Sequence, residues 1–168
     1  MTLSSDALTV KFASIKLLVL DVDGIMTDSG LYYTESGEIL KKFNVKDGLG
    51  IKRLINAGIE VAIISANSSE ATLHRANRLN VKHVFINAKD KLAILKDLCQ
   101  QLDINLTEVA SMGDDLSDLP VMQAVGCPIT VADAMPENIQ CARYVTHKSG
   151  GQGAVREVCD LIVQAQSI

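Results

Sequence analysis

An α/β architecture is predicted here: a Rossmann-like parallel sheet with helices on both faces and a protruding β-hairpin. Three observations predict it. Four short runs, Leu17–Leu20, Val61–Ile64, Val84–Ile86 and Val109–Met112, are apolar apart from Ser111, as strands covered on both faces are. Longer stretches with helical spacing lie between or after them, such as Leu92, Leu95 and Leu98, or Val155, Val158, Ile162 and Ala165. Each run also stops abruptly, at Asp21, Ser65, Asn87 and Gly113. Right-handed crossovers put all the strand ends on one edge of such a sheet, so those terminal residues are expected to gather at one site.

One stretch interrupts the alternation. Between Gly30 and Val45, LYYTESGEILKKFNV reads as two strands around the turn Glu35-Ser36-Gly37, with Gly37 supplying a positive φ. It is too small to be a second domain, and 168 residues suit one domain over 1–168 with a full core. There is no internal repeat and no linker. Pro128 and Pro136 are expected to punctuate loops or helix starts.

Composition narrows the function classes. Sixteen Lys+Arg against twenty Asp+Glu leave a net charge of −4, without the basic stripe of a nucleic-acid binder. No apolar run approaches the roughly 20 residues of a membrane-spanning helix. The opening MTLSSDALTV has no basic segment followed by an apolar core, so a cytoplasmic protein with no membrane partner is expected. Cys99, Cys127, Cys141 and Cys159 form no close pair that would suit zinc or redox chemistry. Cys99 and Cys159, set among apolar residues, read as buried thiols. His74, His83 and His147 are isolated and read as structural or surface groups.

The chemistry-bearing residues follow the strands. Asp21 and Asp23 in DVDG lie two residues apart on extended chain, about 6.6 Å between Cα atoms. Both can therefore reach one small group, and Gly24 lets the chain turn away. Asp114, Asp115 and Asp118 in GDDLSD form a second acidic cluster after the fourth run. Five carboxylates converging from two strand ends repel unless a cation offsets them, and oxygen-only ligands favour Mg²⁺. Read singly, Asp115 and Asp118 also suit a helix N-terminus, where acids complement the dipole. Ser65 offers a hydroxyl and nearby backbone N–H groups to an anion. Asn67 followed by Glu70 resembles a capping box as well. Lys91 can bring a positive charge to the same edge, with Lys89 as the alternative and a solvated lysine as the plain reading.

The order Asp-x-Asp, Ser, Lys, Gly-Asp-Asp-x-x-Asp resembles the haloacid dehalogenase superfamily of phosphohydrolases. The resemblance implies that Asp21 is the nucleophile forming an aspartyl-phosphate. Asp23 becomes the general acid/base, and Ser65 with Lys91 holds the phosphoryl oxygens. Asp21, Asp114 and the Asp23 backbone carbonyl would hold Mg²⁺, with Asp115 and Asp118 in support. The spacings between these motifs leave no room for a large cap domain.

The likeness sharpens to the 3-deoxy-D-manno-octulosonate 8-phosphate phosphatases and covers nearly the whole chain. It rests on LLVLDVDGIMTD, FNVKDGLGIK, EVAIIS, VASMGDDLSDLPVM, VADA and GGQGAVREVCDLI. It implies a phosphorylated sugar-acid substrate, a place in lipopolysaccharide biosynthesis, and a homotetramer with hairpins in a central barrel. It also implies that Asp23, Asn44, Lys52, Arg75 and Lys91 line the substrate site. Where such proteins usually read Thr/Ser-Gly-Arg, this chain reads Ser65-Ala66-Asn67, which removes a bidentate clamp. Gln152 likewise stands where an arginine is common. A nine-carbon keto-sugar acid 9-phosphate is therefore an alternative substrate. Outside catalysis, a phospho-accepting receiver and an oligomerisation module are the other readings.

Overall fold

The computed structural model describes residues 5–167; Met1–Ser4 of the N-terminal stretch and Ile168 lie outside the described residues. Six strands form one parallel sheet: β1 (Leu17–Leu20), β4 (Glu60–Ile64), β5 (His83–Phe85), β6 (Val109–Met112), β7 (Cys127–Thr130) and β8 (Tyr144–Val145). Their order is β5-β4-β1-β6-β7-β8, and every neighbouring pair is parallel. Strands β2 (Tyr32–Tyr33) and β3 (Ile39–Leu40) make the separate antiparallel hairpin.

Alternation explains why the central strands read as continuous apolar runs. Leu18 and Leu20 enter one core and Leu17 and Val19 the other; Val61 and Ile63 likewise oppose Ala62 and Ile64. Both faces are covered, so every position of β1 is buried. One layer holds α1 (Ser5–Ala13), α2 (Val45–Asn56) and α7 (Ala154–Gln166), through Phe12, Ile51, Leu54, Val155, Val158 and Ile162. The opposite core takes Leu95 and Leu98 of α4 (Lys91–Leu102) and Val121 of α5 (Leu119–Ala124). Full burial of such side chains contributes about 1.5–3 kcal/mol each. That exceeds the roughly 1 kcal/mol cost of each interior glycine, so α2 tolerates Gly48 and Gly50. Two shorter helices finish the fold in sequence, α3 (Glu70–Leu79) after β4 and α6 (Pro136–Cys141) after β7.

The chain leaves β1 toward β4 and β5, then crosses back to β6 on the other side of β1. This reversal opens a crevice at the carboxyl ends of β1, β4 and β6. Only the hairpin and α2 lie between β1 and β4, and only α4, one 3₁₀ turn and no cap separate Lys91 from β6.

Several expectations need correction. Pro128 sits inside β7, opposite Ser111, and does not punctuate a loop. Its carbonyl accepts from Arg143 N–H at 2.8 Å, just before β8 begins. In a strand a residue's C=O and N–H positions point the same way, so the missing donor faces a side where no ladder has yet started. Pro136 does start a helix. The expected run through Ile86 ends at Phe85, and β8 lies in a stretch too short to show periodicity. The Asn67–Glu70 capping box does not form: Ser69 holds the N-cap position of α3 without a side-chain bond, and Asn67 instead donates its N–H to Ser65 Oγ at 3.2 Å.

Other expectations hold. Gly37 has φ +86° at the hairpin turn, and Cys99 and Cys159 are buried. His83 pairs with Glu60 and His147 with Glu157, while His74 is exposed.

The segment before α7 touches the loop after β1. Gly151 N–H donates to the Ile25 carbonyl at 3.0 Å, and a Cβ on Gly150 would lie 1.8 Å from the Gly24 carbonyl oxygen. Gly150→Ala is therefore expected to destabilise the fold by about 1–3 kcal/mol in urea titration. The displaced backbone is that of Gly24, and an unchanged urea midpoint would show that the loop gives way freely.

Candidate active site

The ends of β1, β4 and β6 deliver polar side chains into a shared cavity of about 380 Å³, whereas Asn87, expected there after the third run, does not line it. Asp21 follows β1, Ser65 follows β4, Asp114 follows β6 by one residue, and Lys91 opens α4; all four line it, together with Asp23, Asn67 and Asp115. Asp90 caps α4 by accepting from Ala93 N–H at 3.0 Å, which sets where Lys91 starts. Gly24 has φ +86°, and a Cβ there would come within 1.9 Å of Asp114 Oδ2. The turn is thus both left-handed and pressed against the second acidic cluster, which only glycine permits.

Lys91 is the pivot of the charges. It is 7% exposed and donates to Asp21 Oδ1 at 2.8 Å and to Asp118 Oδ1 at 2.7 Å. Burial alone would lower its pKa, but the two carboxylates outweigh that and raise it. Asp118 is spent on geometry with its other oxygen, which accepts from Asp114 N–H at 3.1 Å. Asp115 caps the following 3₁₀ turn through Leu116 N–H at 2.7 Å and is exposed, so it stands at the rim. Lys89 is exposed and does not line the cavity, whereas Lys91 does.

The remaining charge is uncompensated. Burial, then Asp118, pushes Asp21 up to about 6 despite Lys91. Burial, then Asp21, Asp118 and Asp115, pushes Asp114 up to about 7. Carboxylate oxygens of Asp21, Asp114 and Asp118 all lie within 4.8 Å of one another, and Asp114 Oδ1 is buried without a hydrogen-bond partner. An orphaned buried oxygen in an all-oxygen donor set fits a hard divalent cation such as Mg²⁺.

This arrangement fixes a pH dependence. The folded chain holds the protons of Asp21 and Asp114 above their ordinary value of 3.8, more tightly than the unfolded chain. Their contribution to stability is thus full below about pH 4 and lost as pH rises through about 6 to 7. Added Mg²⁺ offsets the same repulsion, but at low pH it must displace protons. Its effect on the melting temperature should be about 5 °C or more at pH 8 and clearly smaller at pH 5. Equal rises at both pH values would contradict this.

Three expected substrate residues are not brought here. Asn44, Lys52 and Arg75 do not line the cavity. Asn44 caps α2, accepting from Lys46 N–H at 2.8 Å, and donates to the Gly151 carbonyl at 3.1 Å. Arg75 donates to the Asn44 carbonyl at 2.8 Å and lies 5.7 Å over the Phe43 ring. Both side chains are thus committed to bracing the entry to α2, and Lys52 is exposed on that helix.

One residue escaped the sequence reading. Lys41, at the foot of the hairpin, donates from Nζ to Asp23 Oδ1, and its side chain is 1% exposed. Strand alternation puts Lys41 and Lys42 on opposite faces, but nothing in the sequence says which one turns inward.

Comparison with known proteins agrees with the geometry. The model for haloacid dehalogenase-like hydrolases matches residues 84–158, and the crevice of acids, serine and lysine suits that class of enzyme. The 3-deoxy-D-manno-octulosonate 8-phosphate phosphatase KdsC of Yersinia pestis is 46% identical over 96% of this chain and 87% of that protein. The Moraxella catarrhalis phosphatase of the same name, solved with magnesium, phosphate and KDO, superposes with a TM-score of 0.95. It is 40% identical, over 98% of this chain and 94% of that one. The cobalt-bound phosphatase from Haemophilus influenzae has a TM-score of 0.90 and 39% identity, over 94% and 92% of the two chains. The chain belongs to the 3-deoxy-D-manno-octulosonate 8-phosphate phosphatase family, a family of phosphoric monoester hydrolases.

Proposed function

We propose that this chain hydrolyses 3-deoxy-D-manno-octulosonate 8-phosphate to the free sugar acid and phosphate, with Mg²⁺ as cofactor. The observation that carries the reading is the convergence of Asp21, Asp23, Ser65, Lys91 and Asp114 on one cavity, with Asp114 Oδ1 buried and unpaired. Family membership supports the choice of substrate.

The residues perform the reaction as follows. Asp21, a carboxylate that needs no base to become a nucleophile, attacks phosphorus as the ester P–O bond breaks. Lys91 and the Ser65 hydroxyl bind the phosphoryl oxygens and hold them in line. Asp23 protonates the departing alkoxide. It then takes a proton from the water that attacks the aspartyl-phosphate, which releases phosphate and restores Asp21. Mg²⁺ held by Asp21, Asp114 and the Asp23 carbonyl, with Asp118 and Asp115 in support, would offset phosphoryl charge.

Asn67 lines the cavity at the position where the family resemblance leads one to expect an arginine, which favours testing a second substrate. Phosphate release is measured from the eight-carbon and nine-carbon keto-sugar acid phosphates, each with Mg²⁺ and with chelator. Magnesium-dependent preference for eight carbons supports the proposal. Preference for nine carbons keeps the mechanism and changes the substrate. No turnover of either defeats the reading and returns a non-catalytic role.

The assembly is part of the proposal. Leu31, Tyr32, Tyr33 and Leu40 leave half or more of their surface exposed on or beside the hairpin, a cost that packing against other copies removes. Light scattering is expected to give a homotetramer; a monomer would contradict it. Among the described residues no helix is long and apolar enough to cross a membrane, and a cytoplasmic location is part of the same reading.

A further inference from the structure

We propose that Lys41 is a positioning residue for this reaction, holding the Asp23 carboxylate at its station from the foot of the hairpin. The inference rests on reading Asp23 as the general acid/base.

Two consecutive lysines make the argument. Lys41 and Lys42 follow β3 and each reaches a carboxylate in the segment after β1, Lys41 to Asp23 and Lys42 to Asp28. Their surroundings differ sharply. The Lys42 side chain is 54% exposed, the usual compromise in which the stem packs and the ammonium stays wet. The Lys41 side chain is 1% exposed. Taking an ammonium out of water is costly unless a specific partner compensates. Among the described residues that partner is Asp23 alone. A lysine needed only to fasten the hairpin could remain solvated, as Lys42 does.

The placement also suits a role at Asp23. Lys91 takes Asp21 and Asp118 from the α4 side of the cavity, and Lys41 takes Asp23 from the hairpin side. Two cations thereby divide three of the five carboxylates between them. Without Lys41, Asp23 has no side-chain partner among the described residues, and the other buried cation of the site, Lys91, is already engaged with Asp21 and Asp118. Lys41 occupies Oδ1 of Asp23; no protein group among the described residues bonds its other oxygen. That leaves one carboxylate oxygen, on a side chain 33% exposed, for proton exchange with the leaving group and with water. Proton transfer needs heavy atoms at hydrogen-bond distance, so a carboxylate held in one rotamer transfers faster than one that wanders.

The test is steady-state phosphate release with Mg²⁺ by Lys41→Met, Lys41→Arg, Lys42→Met, Asp23→Asn and the double variant Asp23→Asn/Lys41→Met. Lys41→Met is expected to lower kcat by about 10- to 100-fold with KM changed by less than about threefold. Lys41→Arg, which keeps a buried cation, should recover most of the loss, and Lys42→Met should stay within about twofold of the parent. On the Asp23→Asn background Lys41→Met should change the residual rate by less than about twofold, because no carboxylate remains to be placed. The proposal is overturned if Lys41→Met leaves kcat intact. It is equally overturned if the loss is the same with and without Asp23, or if Lys42→Met lowers kcat as much. Should Lys41→Met fail to fold, Lys41→Gln carries the same comparison. Near-parental activity in Asp23→Asn alone would instead defeat the acid/base reading, and the two failures are told apart by that single variant.

Discussion

Asp21→Asn is expected to lower phosphate release by about 10⁴-fold or more while the protein stays folded. An amide oxygen is a poor nucleophile and offers no charge to a metal, so both functions assigned to Asp21 vanish together. The fold should gain from the change. Ionised Asp21 is disfavoured in the folded chain, with its pKa pushed up to about 6 by burial and Asp118. In chelator at pH 8, Asp21→Asn should therefore melt at a higher temperature than the parent. The difference should shrink toward pH 5, where the parent's carboxyl already holds its proton in the folded state. Asp118 still accepts from Lys91 in the variant, so the lysine is not stranded. Substantial turnover in Asp21→Asn would sink the nucleophile assignment. A lower melting temperature at pH 8 would show instead that the Lys91 pair outweighs the repulsion.

Lys91→Met should fail on both counts. The ammonium is buried between two carboxylates, and removing one member of a buried ion cluster costs about 3–5 kcal/mol. Because Asp21 and Asp114 can take up protons instead, the loss measured by urea unfolding should be smaller at pH 5 than at pH 8. Turnover should fall by about 10²-fold or more, since a cation that meets the phosphoryl oxygens acts where transition-state charge develops. Adding Asp21→Asn to Lys91→Met should restore much of the stability and none of the activity. Restored activity would contradict both assignments.

The legible part of the fold was its central sheet. Runs such as Leu17–Leu20 and Val61–Ile64 are apolar at every position because both faces of the strand meet helices, and that pattern survives in one dimension. Strand β8 and the helix Pro136–Cys141 left no such mark: two paired residues and six helical ones are too few for a period to show. Pro128 misled because its acceptable place in β7 depends on where the neighbouring strand β8 begins.

The site divides in the same way. Asp21, Asp23, Ser65, Lys91 and Asp114 were legible because each sits at or just past the end of an element, where backbone geometry fixes its direction. Asn44 and Arg75, inferred through family likeness, prove to be engaged with backbone carbonyls beside α2, an arrangement no spacing reveals. Periodicity and motif order, which are properties of the chain alone, carried the ends of β1, β4 and β6, the acidic and basic groups upon them and the family resemblance. The packing of the layers sets the rest: Lys41 rather than Lys42 turns inward, Lys91 bridges Asp21 and Asp118, and Gly150 presses on Gly24. Those are contacts between segments far apart in sequence, set by how the layers pack, and packing leaves no periodic trace.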